Sequence, residues 1–114
     1  KKTLDINLLA PISINRELLP QLKLSKGSIV HIGSIHNHLT KAGFSSYATS
    51  KAALIGLTRS MAVELGNEVR VNAIEPAAIS TPMLKAGFIG KEHLLKSKEC
   101  LHLQLIEYLL LLRC

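Results

Sequence analysis

Short β-branched runs and longer stretches of helical spacing alternate along the first two thirds of the chain. Leu4, Leu8, Ile12, Leu18 and Leu19 recur at roughly helical intervals, and predict a helix over residues 3–23. Ser28-Ile29-Val30-His31-Ile32-Gly33-Ser34 then reads as a strand. Its apolar residues are nearly continuous, the pattern of a strand buried on both faces. Leu54, Leu57, Met61 and Leu65 form a second helical stripe, over residues 46–65. Ser45 and Ser46 are its N-cap candidates, and Gly66-Asn67 is its stop signal. Ala48, Ala52, Ala53 and Gly56 make the same helix slim enough for close packing. Val69 to Ile74 is the second strand. Strand, helix, strand at this spacing predicts a right-handed βαβ unit with parallel strands.

Two prolines interrupt the first helix. Pro11 has no N–H for the carbonyl of Asn7, which predicts a distortion there and a carbonyl open to water. Pro20 predicts that the helix ends near Leu19 or kinks in its last turn.

The candidate chemistry lies between the strands. Tyr47 and Lys51 are one helical turn apart and share a face. A cation beside a phenol favours the phenolate, which makes a proton-transfer pair. Ser34 stands at the end of the first strand, where a hydroxyl and the phenol can meet over one carbonyl oxygen. Active groups in parallel sheets gather beyond the carboxyl ends of the strands. Ser34 and the loop of residues 75–82 both lie there. The loop of residues 35–46 is long and holds His36, Asn37 and His38. No third ligand completes a metal site nearby, so no metal is expected. His31, inside the strand run, reads as a core imidazole with one hydrogen bond.

Composition narrows the field. Apolar residues make up 47% and aromatic residues 4%, a globular, aliphatic balance. Fourteen basic residues against eight acidic give a net charge of +6. The basic residues are scattered and stacking residues are few, which argues against nucleic acid as a partner. Cys100 and Cys114 form neither a metal pattern nor a disulfide framework, which fits a reducing, cytoplasmic setting. The start lacks the apolar core of a signal peptide, and no run approaches the ~20 apolar residues of a membrane span.

Ser34 with Tyr47-x-x-x-Lys51 resembles the short-chain dehydrogenase/reductase family. Tyr47-Ala48-Thr49-Ser50-Lys51-Ala52-Ala53, Arg70-Val71-Asn72-Ala73-Ile74-Glu75-Pro76 and Thr81-Pro82-Met83 carry the likeness further. The resemblance covers roughly residues 3–90. It implies an α/β fold, part of a Rossmann-type doubly wound parallel sheet. It implies an oxidoreductase that interconverts a carbonyl and an alcohol with NAD or NADP. Asn7, Ser34, Tyr47 and Lys51 match the family's catalytic set, Asn7 through a bound water. Tyr47, Lys51, Pro76, Ile79 and Thr81 match its cofactor contacts. Here Ala77 replaces the glycine that follows the loop proline in the family. His36 and Leu39 fall where the family borders its substrate, and Met83, Leu84, Phe88 and Ile89 where it covers it. The resemblance also implies a small-molecule substrate and a homo-oligomer formed through helices 3–19 and 46–65.

Residues 1–90 therefore read as the catalytic portion of such a domain, and 91–114 as a divergent, leucine-rich helical tail. The glycine-rich phosphate loop of dinucleotide-binding folds is not among these 114 residues. The isolated chain is thus expected to be inactive. The alternative to an enzyme is a catalytically inactive fragment that acts only through helix-mediated association.

Overall fold

The structure is a computed structural model, and it describes residues 1–77. A short helix, α1 (Lys2–Leu4), leads through a π-helical stretch (Asp5–Leu9) into α2 (Ala10–Leu24). Strand β1 (Ser28–Ile32), a 3-10 turn (Ile35–Asn37), helix α3 (Ser45–Leu65) and strand β2 (Arg70–Ile74) follow. The strands pair in parallel, with Ser28 opposite Arg70 and Ile32 opposite Ile74. This is the expected βαβ unit with its preceding long helix. The expected domain boundary at residue 90 and the tail of 91–114 lie outside the described residues.

The distortion expected at Pro11 takes a definite form. The backbone widens into the π-helical stretch immediately before the proline, and the Ala10 amide reaches back to the Asp5 carbonyl. A wider turn accommodates a proline whose ring crowds the carbonyl four residues earlier. The expected end at Leu19 does not occur, because α2 runs through Pro20 to Leu24. Pro20 removes the amide partner of the Arg16 carbonyl, but Arg16 is exposed, which leaves that carbonyl open to water.

Neither serine caps α3. The helix begins at Ser45, and its N-cap is Phe44, with no side-chain hydrogen bond. The stop is as expected: Gly66 has a positive φ of 49°, a conformation open to glycine.

The core is a small aliphatic cluster of Ile29, Leu65, Val69 and Val71, with Leu19, Leu22, Met61 and Ala62 packed against it. Among the described residues, only one face of the sheet is covered. Ile29 and His31 are buried, whereas Val30, Ile32 and Ile74 are exposed. The continuous apolar run of β1 thus suits a two-sided burial that the described residues do not supply. Among those residues, no helix is long and apolar enough to cross a membrane.

Candidate active site

The parallel ladder continues beyond the strands and builds the floor of the site. The Gly33 amide donates to the Ile74 carbonyl at 2.7 Å, and the Ile35 amide to the Pro76 carbonyl at 3.1 Å. The loops after β1 and β2 are therefore tied side by side at the carboxyl edge of the sheet. Gly33 suits this close approach, since a Cβ would stand 2.8 Å from Ile55 Cδ1 and 3.3 Å from the Ile74 oxygen. Asn37 Nδ2 also donates to Glu75 Oε1, a third tie at this edge.

Ser34 leaves this floor as a buried, extended residue and caps the 3-10 turn. Its Oγ accepts the His36 amide at 3.2 Å, which leaves its own proton to donate elsewhere. The turn carries His36 against the aromatic rings of Phe44 and Tyr47, at the start of α3. Its ring centroid lies 4.7 Å from Phe44 and 5.9 Å from Tyr47, the latter edge-on. His36 thus links the Ser34 loop to Tyr47.

Tyr47 and Lys51 come together as their spacing requires. Lys51 Nζ lies 5.8 Å from the Tyr47 ring centroid. The same ammonium donates to the Ile32 carbonyl at 2.7 Å, two residues before Ser34. One of its three protons is used there, and the charge is anchored at the strand end.

Asn7 is also brought to this helix, through its side chain. Asn7 Nδ2 donates to Ser50 Oγ at 3.0 Å, and Ser50 Oγ donates to the Tyr47 carbonyl at 2.7 Å. Ser50 is fully buried between Tyr47 and Lys51 in sequence. Its contribution was hidden in the sequence, where it reads only as a small residue within the tyrosine–lysine phrase. Pro76 is placed by its carbonyl bond, while Ile79 and Thr81 lie outside the described residues, as do Met83, Leu84, Phe88 and Ile89.

His31 is a core imidazole as expected, but it has two partners rather than one. Asn15 Nδ2 lies 2.8 Å from its Nε2, and Thr58 Oγ1 lies 2.9 Å from its Nδ1. The Thr58 hydroxyl donates to the Leu54 carbonyl at 2.8 Å. Its proton is therefore spent, so His31 Nδ1–H is the donor to Thr58, and Nε2 accepts from Asn15. This order requires a neutral ring, and burial pushes the His31 pKa below the usual histidine value. Asn15 and Thr58 carry no sequence signal beyond being polar on helix faces.

Among the described residues, His36 Nδ1 and Asn37 Oδ1 are buried polar atoms without a partner. Among the described residues no group of three His, Cys, Asp or Glu side chains stands together.

A family model described as short chain dehydrogenase matches residues 1–91. The human dehydrogenase/reductase SDR family member 4 is 38% identical over 105 residues, covering 90% of this chain and 38% of the relative. The 1,2-dihydroxy-1,2-dihydronaphthalene dehydrogenase of Pseudomonas putida is 37% identical over 86 residues, covering 75% of this chain and 33% of the relative. Among solved structures, a 4-hydroxyisoleucine dehydrogenase complexed with NADH is similar, with a TM-score of 0.71 and 38% identity. That match covers 81% of this chain and 39% of the other. The chain thus spans about two fifths of the length of these proteins or less.

Proposed function

The chain belongs to the short chain dehydrogenase family, and from that premise we propose that it is the catalytic portion of an NAD(P)-dependent oxidoreductase acting on a small carbonyl or alcohol. One observation carries the reading: the Lys51 ammonium, beside the Tyr47 ring, is anchored on the Ile32 carbonyl at the strand end that leads to Ser34. That placement supports reading Tyr47 and Lys51 as an acid–base pair at the carboxyl edge of the sheet, with Ser34 on the loop that leaves the same strand end.

The residues divide the work by their chemistry. Tyr47 gives a proton to a carbonyl oxygen, or takes one from an alcohol. Lys51 holds its positive charge beside the Tyr47 ring. Ser34 donates to the reacting oxygen, where negative charge develops. Pro11 has no amide for the Asn7 carbonyl, which suits that oxygen to holding a relay water.

The donor set suits the nicotinamide half of a dinucleotide. Two ammonium protons of Lys51 and the Tyr47 hydroxyl match the hydroxyl groups of a ribose, and the Pro76–Ala77 loop borders the same edge. Ile79 and Thr81 are the further residues proposed to hold the carboxamide. The cofactor, NAD or NADP, supplies the hydride chemistry. The phosphate end needs a glycine-rich loop that these 114 residues do not include, so the chain alone is expected to bind dinucleotide weakly and to turn nothing over.

The proposed setting is cytoplasmic, and the proposed assembly is a homo-oligomer. Ile6, Leu9, Leu18 and Val63 on the long helices are exposed, which supports association through them. The same surface supports the second reading, a catalytically inactive chain that only associates.

Tyr47→Phe in the full-length protein separates the two. Turnover is expected to fall by about 10²–10⁴-fold with cofactor affinity nearly unchanged. Activity within threefold of wild type removes Tyr47 from the mechanism. A wild-type protein with no activity on a panel of ketones and secondary alcohols supports the associating chain.

A further inference from the structure

We infer that Ser50 is a positioning residue for the proposed reaction, one that couples Asn7 to the Tyr47–Lys51 turn. The inference rests on the oxidoreductase reading and deepens it. Ser50 is fully buried, at 0% exposure, and its hydroxyl is used in both directions. It accepts from Asn7 Nδ2 at 3.0 Å and donates to the Tyr47 carbonyl at 2.7 Å.

The position of this bridge is what gives it a role. Asn7 stands in the π-helical stretch Asp5–Leu9, where the backbone is not held by ordinary helical bonds. A side-chain anchor from that stretch onto α3 therefore fixes where the Asn7 backbone sits relative to Tyr47 and Lys51. Ser50 is flanked by Thr49, which is exposed, and Lys51, whose ammonium is committed to the Ile32 carbonyl. Within the tyrosine–lysine turn it is thus the hydroxyl turned inward, toward the first helix. A buried serine with both hydrogen-bonding capacities spent needs no ligand of its own. It transmits placement, and it touches neither substrate nor cofactor.

Removing the Oγ leaves the Asn7 amide without its acceptor and releases the π-helical stretch from the turn. The expected consequence is a loss of kcat, because Asn7 no longer holds the relay in register, with little change in KM.

The test measures steady-state kinetics of the full-length protein and its Ser50→Ala, Ser50→Cys, Asn7→Ala and Ser50→Ala/Asn7→Ala variants, with rates expressed per cofactor-binding site. Ser50→Ala is expected to lower kcat by about 5–50-fold with KM for substrate and cofactor within twofold. Ser50→Cys, of similar volume but a weaker hydrogen-bonding group, is expected to fall between it and wild type. The double variant is expected to be no slower than the slower single variant, since both changes cut the same bridge. A kcat per site within twofold of wild type in both Ser50 variants overturns the inference. So does a rise in KM at unchanged kcat, or losses that multiply in the double variant. If Ser50→Ala does not fold, Ser50→Cys carries the same decision. A wild-type protein without activity refutes the oxidoreductase reading instead, and is recognised before any variant is compared.

Discussion

Two polar clusters, both built across β1 and α3, are treated in opposite ways. At the middle of β1, His31 lies between Asn15 of α2 and Thr58 of α3, and every ring nitrogen has a partner. At the carboxyl end, Ser34, His36, Tyr47 and Lys51 gather with capacity to spare. Among the described residues, Ser34 keeps a proton, Lys51 keeps two, and His36 Nδ1 has no partner. The first cluster is closed and holds three elements together. The second is held in place by backbone contacts at its base, the Lys51 ammonium among them, while its reactive groups keep unspent donors among the described residues. Saturation of hydrogen bonds marks structure, and retained capacity marks a site prepared for a ligand.

The sharpest way to break this contrast is a substitution in each cluster with opposite readouts. Lys51→Met keeps an apolar stem of similar length but removes the charge beside Tyr47. Activity of the full-length protein is expected to fall by about 10²–10³-fold, with the thermal midpoint moved by no more than a few degrees. If the melting transition collapses instead, Lys51 belongs with the structural cluster, and the Ile32 contact is its main purpose.

Thr58→Val is the counterpart. It is close in shape but removes the hydroxyl that accepts from His31 and donates to Leu54. The His31 Nδ1–H is left buried without a partner, which costs about 1–3 kcal/mol. Urea denaturation is expected to show that loss while kcat per folded molecule is unchanged. A large drop in kcat at wild-type stability would join the two clusters into one functional network.

The contrast also explains what could be read in advance. The βαβ unit, the parallel strands and the Tyr47–Lys51 pair were legible because each follows from a local pattern: short β-branched runs for the strands, a period of 3.6 for the helices, one turn for the pair. The Ser45–Ser46 cap was misread, because a capping serine and a first-turn serine look alike until the backbone angles are known. Of the two outcomes expected at Pro20, an end near Leu19 or a kink in the last turn, the end does not occur, for a different reason. A proline forbids one hydrogen bond, and an exposed carbonyl tolerates that loss, so the helix continues to Leu24. His31, Asn15 and Thr58 come from three elements, and Asn7 and Ser50 from two. Such pairings depend on how helices cross a sheet, and no local pattern encodes them.

The smallest expected effect is a pH dependence that belongs to the closed cluster alone. In the folded chain, burial holds the His31 pKa below the usual value, and its two hydrogen bonds require the neutral ring. In the unfolded chain the ring is free to take a proton near about pH 6.5. Below that pH the unfolded state binds more protons than the folded one, so stability falls as pH falls. The contribution is complete above the unfolded value and is lost progressively as pH drops toward the lowered folded value. His31→Gln removes the titration while keeping a polar side chain. Urea unfolding of the full-length protein and this variant, followed from about pH 8 down to about pH 5, isolates the effect as the difference between two curves. Wild type is expected to lose more stability than the variant over the acidic half of that range, by less than the Thr58→Val penalty. Parallel curves would mean that the buried ring takes its proton as readily as a free one, and that the cluster is not closed after all.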